Sequence, residues 1–275
     1  MKPMSAPNRD YALGRTPREY ARLALQSQLL RPLTRRVFED AGIAPGMRVL
    51  DLGSGAGDVC MLLSEMVGPS GSVIGVDVDA GIVEHARERV AEAGLSNVTF
   101  AHSDLANYRA DAPVDALVGR LVLCYLPDPS APLAALSKSV RPGGIVAFQE
   151  PWMMPGMGPE SVVKHFASFV FETFRRSGTQ VDLGPRLHRV FTNAGLPQPV
   201  MRFEALMDGR PDSPLYQYAA ETVASLLPKA VEHGVATAGD LDTGTLAARL
   251  SAERESLGYA MMSLALVAAW CRTPA

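Results

Sequence analysis

Three aspartates follow short apolar segments of the sequence at nearly equal distances. Asp51 and Asp77 are 26 residues apart, and Asp104 follows 27 residues later. A strand and its crossover helix take about 30 residues, so this spacing predicts successive units of one parallel sheet. Because open sheets of this kind bind ligands beyond the carboxyl ends of their strands, we expect the three carboxylates to gather around one ligand.

Each carboxylate suits one part of an adenosyl amino acid. Asp51 is suited to hold the cationic group of a cofactor, through its ammonium or through an intervening donor. Asp77 is placed to accept hydrogen bonds from both hydroxyls of a ribose. Asp104 can accept from an adenine amino group while the backbone N–H of Leu105 donates to the ring.

The first aspartate precedes a glycine-rich loop that contains Gly53, Gly55 and Gly57. Glycine has no Cβ, so such a loop can turn sharply and bring its backbone close to a ligand. A dinucleotide fingerprint would place its third glycine at position 58, where this chain has Asp58. Because a carboxylate at the mouth of a helix disfavours a pyrophosphate, the loop favours an adenosine cofactor without phosphate groups.

The segments around these residues alternate between strand and helix patterns up to residue 150. Strands are predicted over Met47–Leu52, Val73–Val78, Val98–His102, Val114–Val118 and Ile145–Phe148. A helix with Asp79 as its N-cap follows the second strand. This alternation predicts a parallel sheet with helices packed on its faces.

The two ends of the chain lack this alternation of strand and helix patterns. Residues 17–39 have a helical pattern in which Pro32 is expected to begin a second helix, and Gly42 to end it. After residue 150 the sequence is mainly helical over 160–195 and 211–256, with extended segments at Val200–Leu206 and Tyr259–Cys271. The chain therefore has an N-terminal helical arm and a helical insertion.

The charge balance and the cysteine content exclude several classes of protein. The 26 basic and 29 acidic residues give a net charge of −3, which argues against a nucleic-acid partner. The three cysteines form no CxxC pair and the histidines have no paired spacing, so neither disulfides nor a metal site is predicted.

The longest uncharged apolar stretch has 16 residues, which is short of a membrane span. Early charged residues leave no apolar core for a signal peptide, and a cytoplasmic location is expected.

Four motifs in order resemble those of the class I S-adenosylmethionine-dependent methyltransferases. They are Val49-Leu-Asp-Leu-Gly-Ser-Gly-Ala-Gly57, Gly75-Val-Asp-Val-Asp79, Ser103-Asp-Leu105 and Arg141-Pro-Gly-Gly144. The resemblance implies a doubly wound α/β fold, with a mostly parallel, seven-stranded, Rossmann-like sheet whose last strand is reversed. The arm would cover residues 1–44, the cofactor-binding core 45–150, and the rest of the fold with a substrate-lid insertion 151–275.

The same resemblance implies S-adenosylmethionine as the cofactor and assigns residues to its parts. Asp51 and Gly53 would lie near the methionine portion, with Gly55 in the same loop. Asp77 and Val78 would contact ribose and adenine, and Asp104 with Leu105 the adenine. Gly119 and Arg120 would lie beside the methionine group, where Arg120 could hold its carboxylate.

More narrowly, the chain resembles the quinone-biosynthesis-type branch of small-molecule methyltransferases and bacterial secondary-metabolite members. The matching motifs are Tyr11-x-Leu-Gly14, Glu19-Tyr-Ala-Arg-Leu23, Gly119-Arg-Leu-Val-Leu-Cys-Tyr-Leu-Pro-Asp128 and Phe148-Gln-Glu150. In such enzymes the arm covers the cofactor, so Tyr20 and Gln28 are expected lid contacts. Many relatives have histidine near the position of Tyr125, so a histidine base is not available there.

Methyl transfer from a sulfonium is an in-line displacement, and alignment of the reacting atoms carries most of its rate. Glu150, at the end of the fifth strand, is the first candidate for a base, and His188 is the second. The acceptor would be small and largely apolar: aromatic, quinone-like or isoprenoid, methylated on carbon or oxygen. Its predicted contacts are Tyr125, Gln149, Trp152, Phe169 and Tyr216.

Two alternatives to this interpretation stay open. The phenylalanines at 166, 169, 171 and 174 have the spacing of a helix-packing core as well as of a pocket wall. A methyltransferase fold can also bind its cofactor and catalyse a rearrangement, or serve as a regulatory or binding subunit. The oligomeric state is open too, and the sequence is compatible with a homodimer.

Overall fold

The computed structural model describes residue 13 and residues 16–153, 161–237 and 242–275. Within these ranges the chain alternates strands and helices up to residue 151, and then becomes mainly helical, as the sequence predicts. Tyr11 and Gly14, two residues of the arm motif, lie outside the described residues.

The centre of the fold is a seven-stranded sheet, formed within the described ranges in the order β3-β2-β1-β4-β5-β9-β6. The first five strands are parallel to one another, and β9 is antiparallel to both of its neighbours. The mostly parallel sheet with a reversed last strand is therefore confirmed. The strands are β1 (Arg48–Leu52), β2 (Ser72–Asp77), β3 (Val98–His102), β4 (Val114–Arg120), β5 (Val140–Pro151), β6 (Val200–Glu204), β7 (Met207–Asp208), β8 (Met261–Met262) and β9 (Leu266–Arg272).

Helices cover both faces of the sheet, which makes the fold doubly wound. Buried side chains of α1, α2 and α3 pack in one core, and those of α4 and α6 pack in a second core that shares the sheet with the first. A third core lies among α5, α7 and α8. The helices are α1 (Pro17–Ala41), α2 (Asp58–Val67), α3 (Ala80–Glu92), α4 (Ser130–Leu136), α5 (Val162–Arg176), α6 (Leu183–Asn193), α7 (Pro214–Glu232) and α8 (Leu246–Leu257).

The N-terminal arm is one continuous helix of 25 residues, which corrects the prediction that Pro32 begins a second helix. Proline lacks an N–H, so it removes one helical hydrogen bond, but buried packing can offset this cost. Leu30, Leu33 and Phe38 are all buried on the inner face of α1 and hold it together across the proline. Gly42 ends the helix in the left-handed conformation, as predicted.

The segment over Tyr259–Cys271 is not one strand, as the sequence suggested, but two. Met261 and Met262 form β8, which pairs with β7 in a separate ribbon, and β9 begins only at Leu266. Between them the Ser263 N–H donates to the Leu206 carbonyl at 2.9 Å. This ribbon lies at the sheet edge where the aspartates cluster. No helix in the described part of the chain is long and apolar enough to cross a bilayer.

Candidate cofactor and acceptor site

The glycine loop after β1 adopts a backbone that favours glycine at each of its three positions. Gly53, Gly55 and Gly57 have φ angles of 62°, 51° and 83°, all in the left-handed region. A Cβ on Gly53 would lie only 2.3 Å from a methyl carbon of Val122. The loop therefore passes directly against the segment that follows β4, and both line one large cavity.

Asp77 lies at the end of β2 and organises the glycine loop. Its two oxygens accept hydrogen bonds from the backbone N–H groups of Gly55 at 2.9 Å and of Asp79 at 3.0 Å. Burial raises the pKa of Asp77, and these backbone donors oppose the rise. A carboxylate offers about four lone pairs, so acceptors remain for ligand hydroxyls in the cavity that Asp77 and Val78 line.

Asp104 and Leu105 lie on the same cavity wall, as the sequence predicts. One carboxylate oxygen of Asp104 accepts from the Ala106 N–H at 2.9 Å, which fixes the turn after β3. Neighbouring His102 and Ala106 also line the cavity. The sheet edge thus brings together the groups predicted for ribose and adenine.

Asp51 is buried and is not among the described residues that line the cavity. The side chain is buried beneath the loop, and the Cys60 thiol donates to its carboxylate at 3.2 Å. Burial raises the pKa of Asp51 to about 7. Asp51 thus has a partner within the fold, and its contact with the methionine portion, directly or through an intervening donor, stays a prediction.

Arg120, at the end of β4, lies half-buried on the cavity wall. Its Nη1 donates to the Thr34 hydroxyl of α1 at 3.0 Å, which links the arm to the core. Burial lowers the pKa of Arg120, while the carboxylates of Asp58 and Asp51 oppose this shift. Gly119, the preceding residue, is buried inside the sheet, where a Cβ would lie 2.6 Å from the Phe148 ring, and its expected contact with the methionine group stays a prediction.

The arm contributes one predicted contact and not the other. Tyr20 lines the cavity and stacks on His85 of α3, with 4.6 Å between the ring centroids. Gln28 is exposed and is not among the described residues that line the cavity, so its predicted role as a lid contact is corrected. Tyr20 and Gln28 are about two helical turns apart, and the residues of α1 that line the cavity come from the turns before Gln28.

A polar network on the arm was missed by the sequence analysis. Arg22 is buried and pairs with Glu19 at 2.7 Å, and both side chains line the cavity. The Arg22 Nη1 and the Tyr218 hydroxyl each donate to Gln26 Oε1 at 2.9 Å. The spacing of Glu19 and Arg22 on one helix face predicts their ion pair, but Tyr218 is 192 residues from Gln26.

Glu150 is buried and does not line the cavity, which corrects its assignment as the catalytic base. Its carboxylate accepts from the backbone N–H groups of Val122, Leu123 and Cys124 at 2.9–3.2 Å. Burial raises the pKa of Glu150 to about 7, and the three donors oppose the rise. Glu150 is therefore a positioning residue that holds the loop after β4.

His188, the second candidate base, lies on the outer side of α6. Its side chain is exposed, and α6 packs its buried face against the sheet on the side of α4. His188 is not among the described residues that line the cavity. The structure thus corrects this assignment as well.

Of the predicted acceptor contacts, Tyr125 and Trp152 line the cavity. Phe169 and Tyr216 are buried in the core among α5, α7 and α8, and Gln149 is buried within β5, so these three assignments are corrected. For Phe169 and Tyr216 helical geometry explains the error, since neighbouring residues on the same helices face the cavity instead. Those neighbours are Phe166, Val170, Phe171 and Phe174 on α5, and Leu215, Tyr218, Ala219 and Thr222 on α7.

The cavity has a volume of about 1890 Å³ and runs from the glycine loop to the helical insertion. A typical small-molecule site has about 300–1,000 Å³, so this cavity can hold a cofactor and a second molecule together. Leu121, between the two regions, has a φ angle of 56°. Such backbone strain in a residue other than glycine is often found at functional sites.

A family model described as "Methyltransferase domain" matches residues 43–194 of this sequence. The chain belongs to this methyltransferase family. The match covers β1 to α6, and therefore the glycine loop, the three aspartates and Arg120. The class I S-adenosylmethionine-dependent methyltransferase predicted from the motifs is confirmed.

Curated relatives match about half of the chain or less. An aklanonic acid methyltransferase from Streptomyces is 32% identical over 141 residues, which are 51% of this chain and 63% of the relative. An arsenite methyltransferase from Halobacterium salinarum is 39% identical over 111 residues, 40% of this chain and 28% of the relative. A demethylmenaquinone methyltransferase from Staphylococcus aureus is 32% identical over 117 residues, 42% of this chain and 48% of the relative. The chain thus spans from about a quarter to under two thirds of their lengths.

Solved structures share the fold over most of the chain. The YcgJ protein from Bacillus subtilis aligns with a TM-score of 0.55 at 17% identity, covering 93% of this chain and 99% of that one. The [4+2]-cyclase SpnF aligns with a TM-score of 0.54 at 19% identity, covering 88% of this chain and 80% of that one. At these identities the likeness shows the fold alone.

The residues present fit S-adenosylmethionine, the cofactor of this methyltransferase family. Ser54 lies in the glycine loop on the cavity wall, and its buried hydroxyl has no hydrogen-bond partner among the described residues. A buried polar group without a partner is costly, so it marks a place where a ligand supplies one. Asp77 and Arg120 add an acceptor for hydroxyls and a donor for a carboxylate on the same wall.

Proposed function

We propose that this chain transfers a methyl group from S-adenosylmethionine to a small, largely apolar acceptor on carbon or oxygen. The acceptor is aromatic, quinone-like or isoprenoid. One observation carries the proposal: a single cavity joins the glycine loop, with its polar donors and acceptors, to apolar walls from α5 and α7. Such a cavity brings two different ligands into contact and keeps water away from both.

We propose that the cofactor end is bound by groups of matching chemistry. Asp77 would accept from the ribose hydroxyls, Asp104 and the Leu105 N–H would contact adenine, and Arg120 would hold the carboxylate. Ser54 would supply a further hydroxyl to the amino acid portion. When bound, S-adenosylmethionine supplies an electrophilic methyl group on a positively charged sulfur.

The acceptor end is proposed to orient its ligand by shape and stacking. Tyr125, Phe166 and Trp152 would contact an aromatic ring, for which aromatic faces are suitable partners. The network of Arg22, Gln26 and Tyr218 lies on the arm side of the same cavity. It would hold an acceptor oxygen by hydrogen bonding, while Glu19 balances the charge of Arg22.

The arm over residues 1–44 is proposed to act as a lid. Its α1 helix contributes Tyr20, Leu23 and Gln26 to the cavity wall and is joined to α7 through Tyr218. Residues 45–150 would bind the cofactor and residues 151–275 would complete the fold and cover the acceptor. A lid of this kind would exclude water during transfer.

The names of the relatives favour an organic acceptor in two cases and arsenite in another. A soft metalloid would call for several thiolates that converge on one point. Here Cys60, Cys124 and Cys271 are all buried, and only Cys124 lies on the cavity wall. No group of three or more metal-binding side chains occurs among the described residues. The net charge of −3 further supports a small molecule over a nucleic acid.

The test is incorporation of labelled methyl groups from S-adenosylmethionine into a panel of acceptors. The panel includes hydroquinones, polyketide-like phenols, isoprenoid alcohols, arsenite, RNA and a protein mixture. We expect label only in the organic small molecules. Label in arsenite, RNA or protein alone would contradict the proposal, and tight cofactor binding without any transfer would favour a non-methylating role.

A further inference from the structure

An apolar strip leads from the wall of the cavity to the outside of the molecule. Trp152 and Met262 both line the cavity, yet 38% and 43% of their surfaces are exposed. They therefore form part of its rim. Large exposed apolar side chains grouped at one place commonly mark a binding surface.

Each rim residue contacts an apolar residue beyond the cavity. The Trp152 ring meets Phe203 edge to face, with 5.5 Å between the centroids, and Phe203 is 51% exposed. Met262 pairs with Met207 across the β7–β8 ribbon, and Met207 is 70% exposed. Neither Phe203 nor Met207 lines the cavity among the described residues. We name these four residues the apolar strip.

The sheet topology explains why the strip lies at the mouth of the site. β6 and β5 are both antiparallel to β9, so they run in the same direction and end at the same edge. Phe203, near the end of β6, thus lies beside Trp152, which follows β5. The Trp152 N–H also donates to the Ala265 carbonyl at 3.0 Å, which anchors the rim to the segment between β8 and β9.

Charged residues on β6 are directed away from the strip. Glu204 pairs with Arg36 of α1 at 3.0 Å, and Arg202 pairs with Asp40 of the same helix. Because alternate residues of a strand face opposite sides, Phe203 faces the side away from α1. The charged neighbours of Phe203 on β6 are therefore paired with α1, and the strip itself is apolar.

We propose that the acceptor carries a long apolar tail that leaves the cavity over the apolar strip, while its reactive ring stays inside. This proposal rests on the proposed function. A second protein is disfavoured, because only 38–70% of each of the four side chains is exposed. At no more than about 250 Å² per side chain they offer roughly 500 Å², less than the roughly 600 Å² that each partner buries in a stable protein interface. Continuity with the cavity through Trp152 and Met262 favours a part of the acceptor itself.

The experiment compares hydroquinones that carry no side chain, a butyl chain or an octyl chain. Calorimetry on the full chain loaded with S-adenosylhomocysteine gives the dissociation constant of each hydroquinone. Turnover with S-adenosylmethionine gives the KM of each. We expect both constants to fall with chain length, by at least tenfold from no chain to octyl. This gain should shrink by on the order of tenfold in a Phe203→Ser, Met207→Ser double variant, because burial of methylene groups drives it.

Val200→Ser is the matched control, since Val200 is also exposed on β6 but pairs with Trp270 at the far end of the strand. The control variant should keep the full gain in affinity with chain length.

Dissociation constants and KM values that do not depend on chain length, or an equal loss of this gain in the control variant, would overturn the proposal. Loss of binding to phosphatidylcholine vesicles in the double variant, without any effect of chain length, would assign the strip to a lipid surface and also overturn it. If the rings bind according to chain length but none is methylated, the proposed function fails and the tail site stands.

Discussion

The Oε1 atom of Glu150 lies 2.9 Å from the backbone nitrogen of Leu123. This contact joins the end of β5 to the turn that follows β4, over the residues from Val122 to Cys124. The turn packs against Gly53 and continues to Tyr125 on the cavity wall. A buried carboxylate thus fixes the boundary between the cofactor end and the acceptor end of the cavity.

Replacing Glu150 by glutamine should destabilise the fold without removing a catalytic base. The amide would direct its NH₂ group toward backbone N–H donors, so the free energy of unfolding should fall by about 1–3 kcal/mol. Denaturant unfolding measures this loss, and the pH profile of kcat/KM should keep both of its limbs. Glu88→Gln, at an exposed position on α3, is the control and should change neither the free energy of unfolding nor the pH profile. A stable Glu150→Gln protein that loses the acidic limb would restore the base role.

The stability of the protein should depend on the protonation of Glu150. Burial raises its pKa to about 7 from the ordinary 4.5, so the folded state holds the proton more tightly than the unfolded chain. Its contribution to stability is therefore present below about pH 4.5 and is lost as the pH rises through about 7. The difference in unfolding free energy between the native protein and Glu150→Gln should fall across that range. The pKa of Asp51 is also raised to about 7, but Asp51 is present in both proteins, so its contribution cancels in the difference between their unfolding free energies. A difference that rises with pH would contradict this.

Two substitutions in the glycine loop should have unequal effects. Gly53→Ala combines a φ of 62° with a Cβ only 2.3 Å from Val122, and should cost about 2–5 kcal/mol of stability. Gly55→Ala has a φ of 51° but open space around it, and should cost about 1–2 kcal/mol. Thermal unfolding of both variants measures the costs, with Gly94→Ala on a distant turn as the control for φ alone. Equal losses at positions 53 and 55 would show that the contact with Val122 is not decisive.

The sequence was sufficient for the sheet and for three of the polar residues at its edge. Asp77 and Arg120 are the last residues of β2 and β4, and Asp104 follows β3. The apolar runs of these strands are short and clear, and parallel topology brings strand ends together. Residues on the helical insertion were harder to place. The spacing of Phe166 and Phe169 predicts a helix but not which side of it faces the cavity, since both sides are apolar.

Glu150 illustrates a second limit. A carboxylate at a strand end beside the site has the position of a base, but its partners are backbone N–H groups, which every sequence contains. Their convergence on Glu150 depends on how the turn after β4 folds. The bond between Gln26 and Tyr218 is hidden for another reason, because it joins two helices that are far apart in the chain.

Loss of the Asp77 carboxylate should weaken cofactor binding. Asp77→Ala removes the acceptor proposed for the ribose and also the contacts that fix Gly55 and Asp79, so affinity should fall by about 1–3 kcal/mol, or on the order of tenfold or more. Titration with S-adenosylhomocysteine measures it. Asp111→Ala, exposed and paired with Arg48, is the control and should bind normally. Unchanged affinity in Asp77→Ala would refute the ribose assignment.

The stacking of Tyr20 on His85 should hold the arm over the cofactor. Tyr20→Leu keeps an apolar side chain but removes the stacked pair, so cofactor affinity should fall by about 0.5–1.5 kcal/mol. Protease sensitivity of the arm, with and without S-adenosylhomocysteine, reports its closure. Gln28→Ala on the exposed face of the same helix should behave as the native protein does. An equal loss in both variants would point to helix stability instead of the stack.

The central claim is that the sheet edge around Asp77 and Arg120 binds an adenosyl amino acid. Calorimetric titration with S-adenosylmethionine and S-adenosylhomocysteine, with NAD as the control, tests it most directly. We expect both adenosyl compounds to bind with dissociation constants on the order of micromolar, and NAD not to bind, because Asp58 lies where a pyrophosphate would need a glycine. Binding of NAD alone, or of none of the three compounds, would contradict the account.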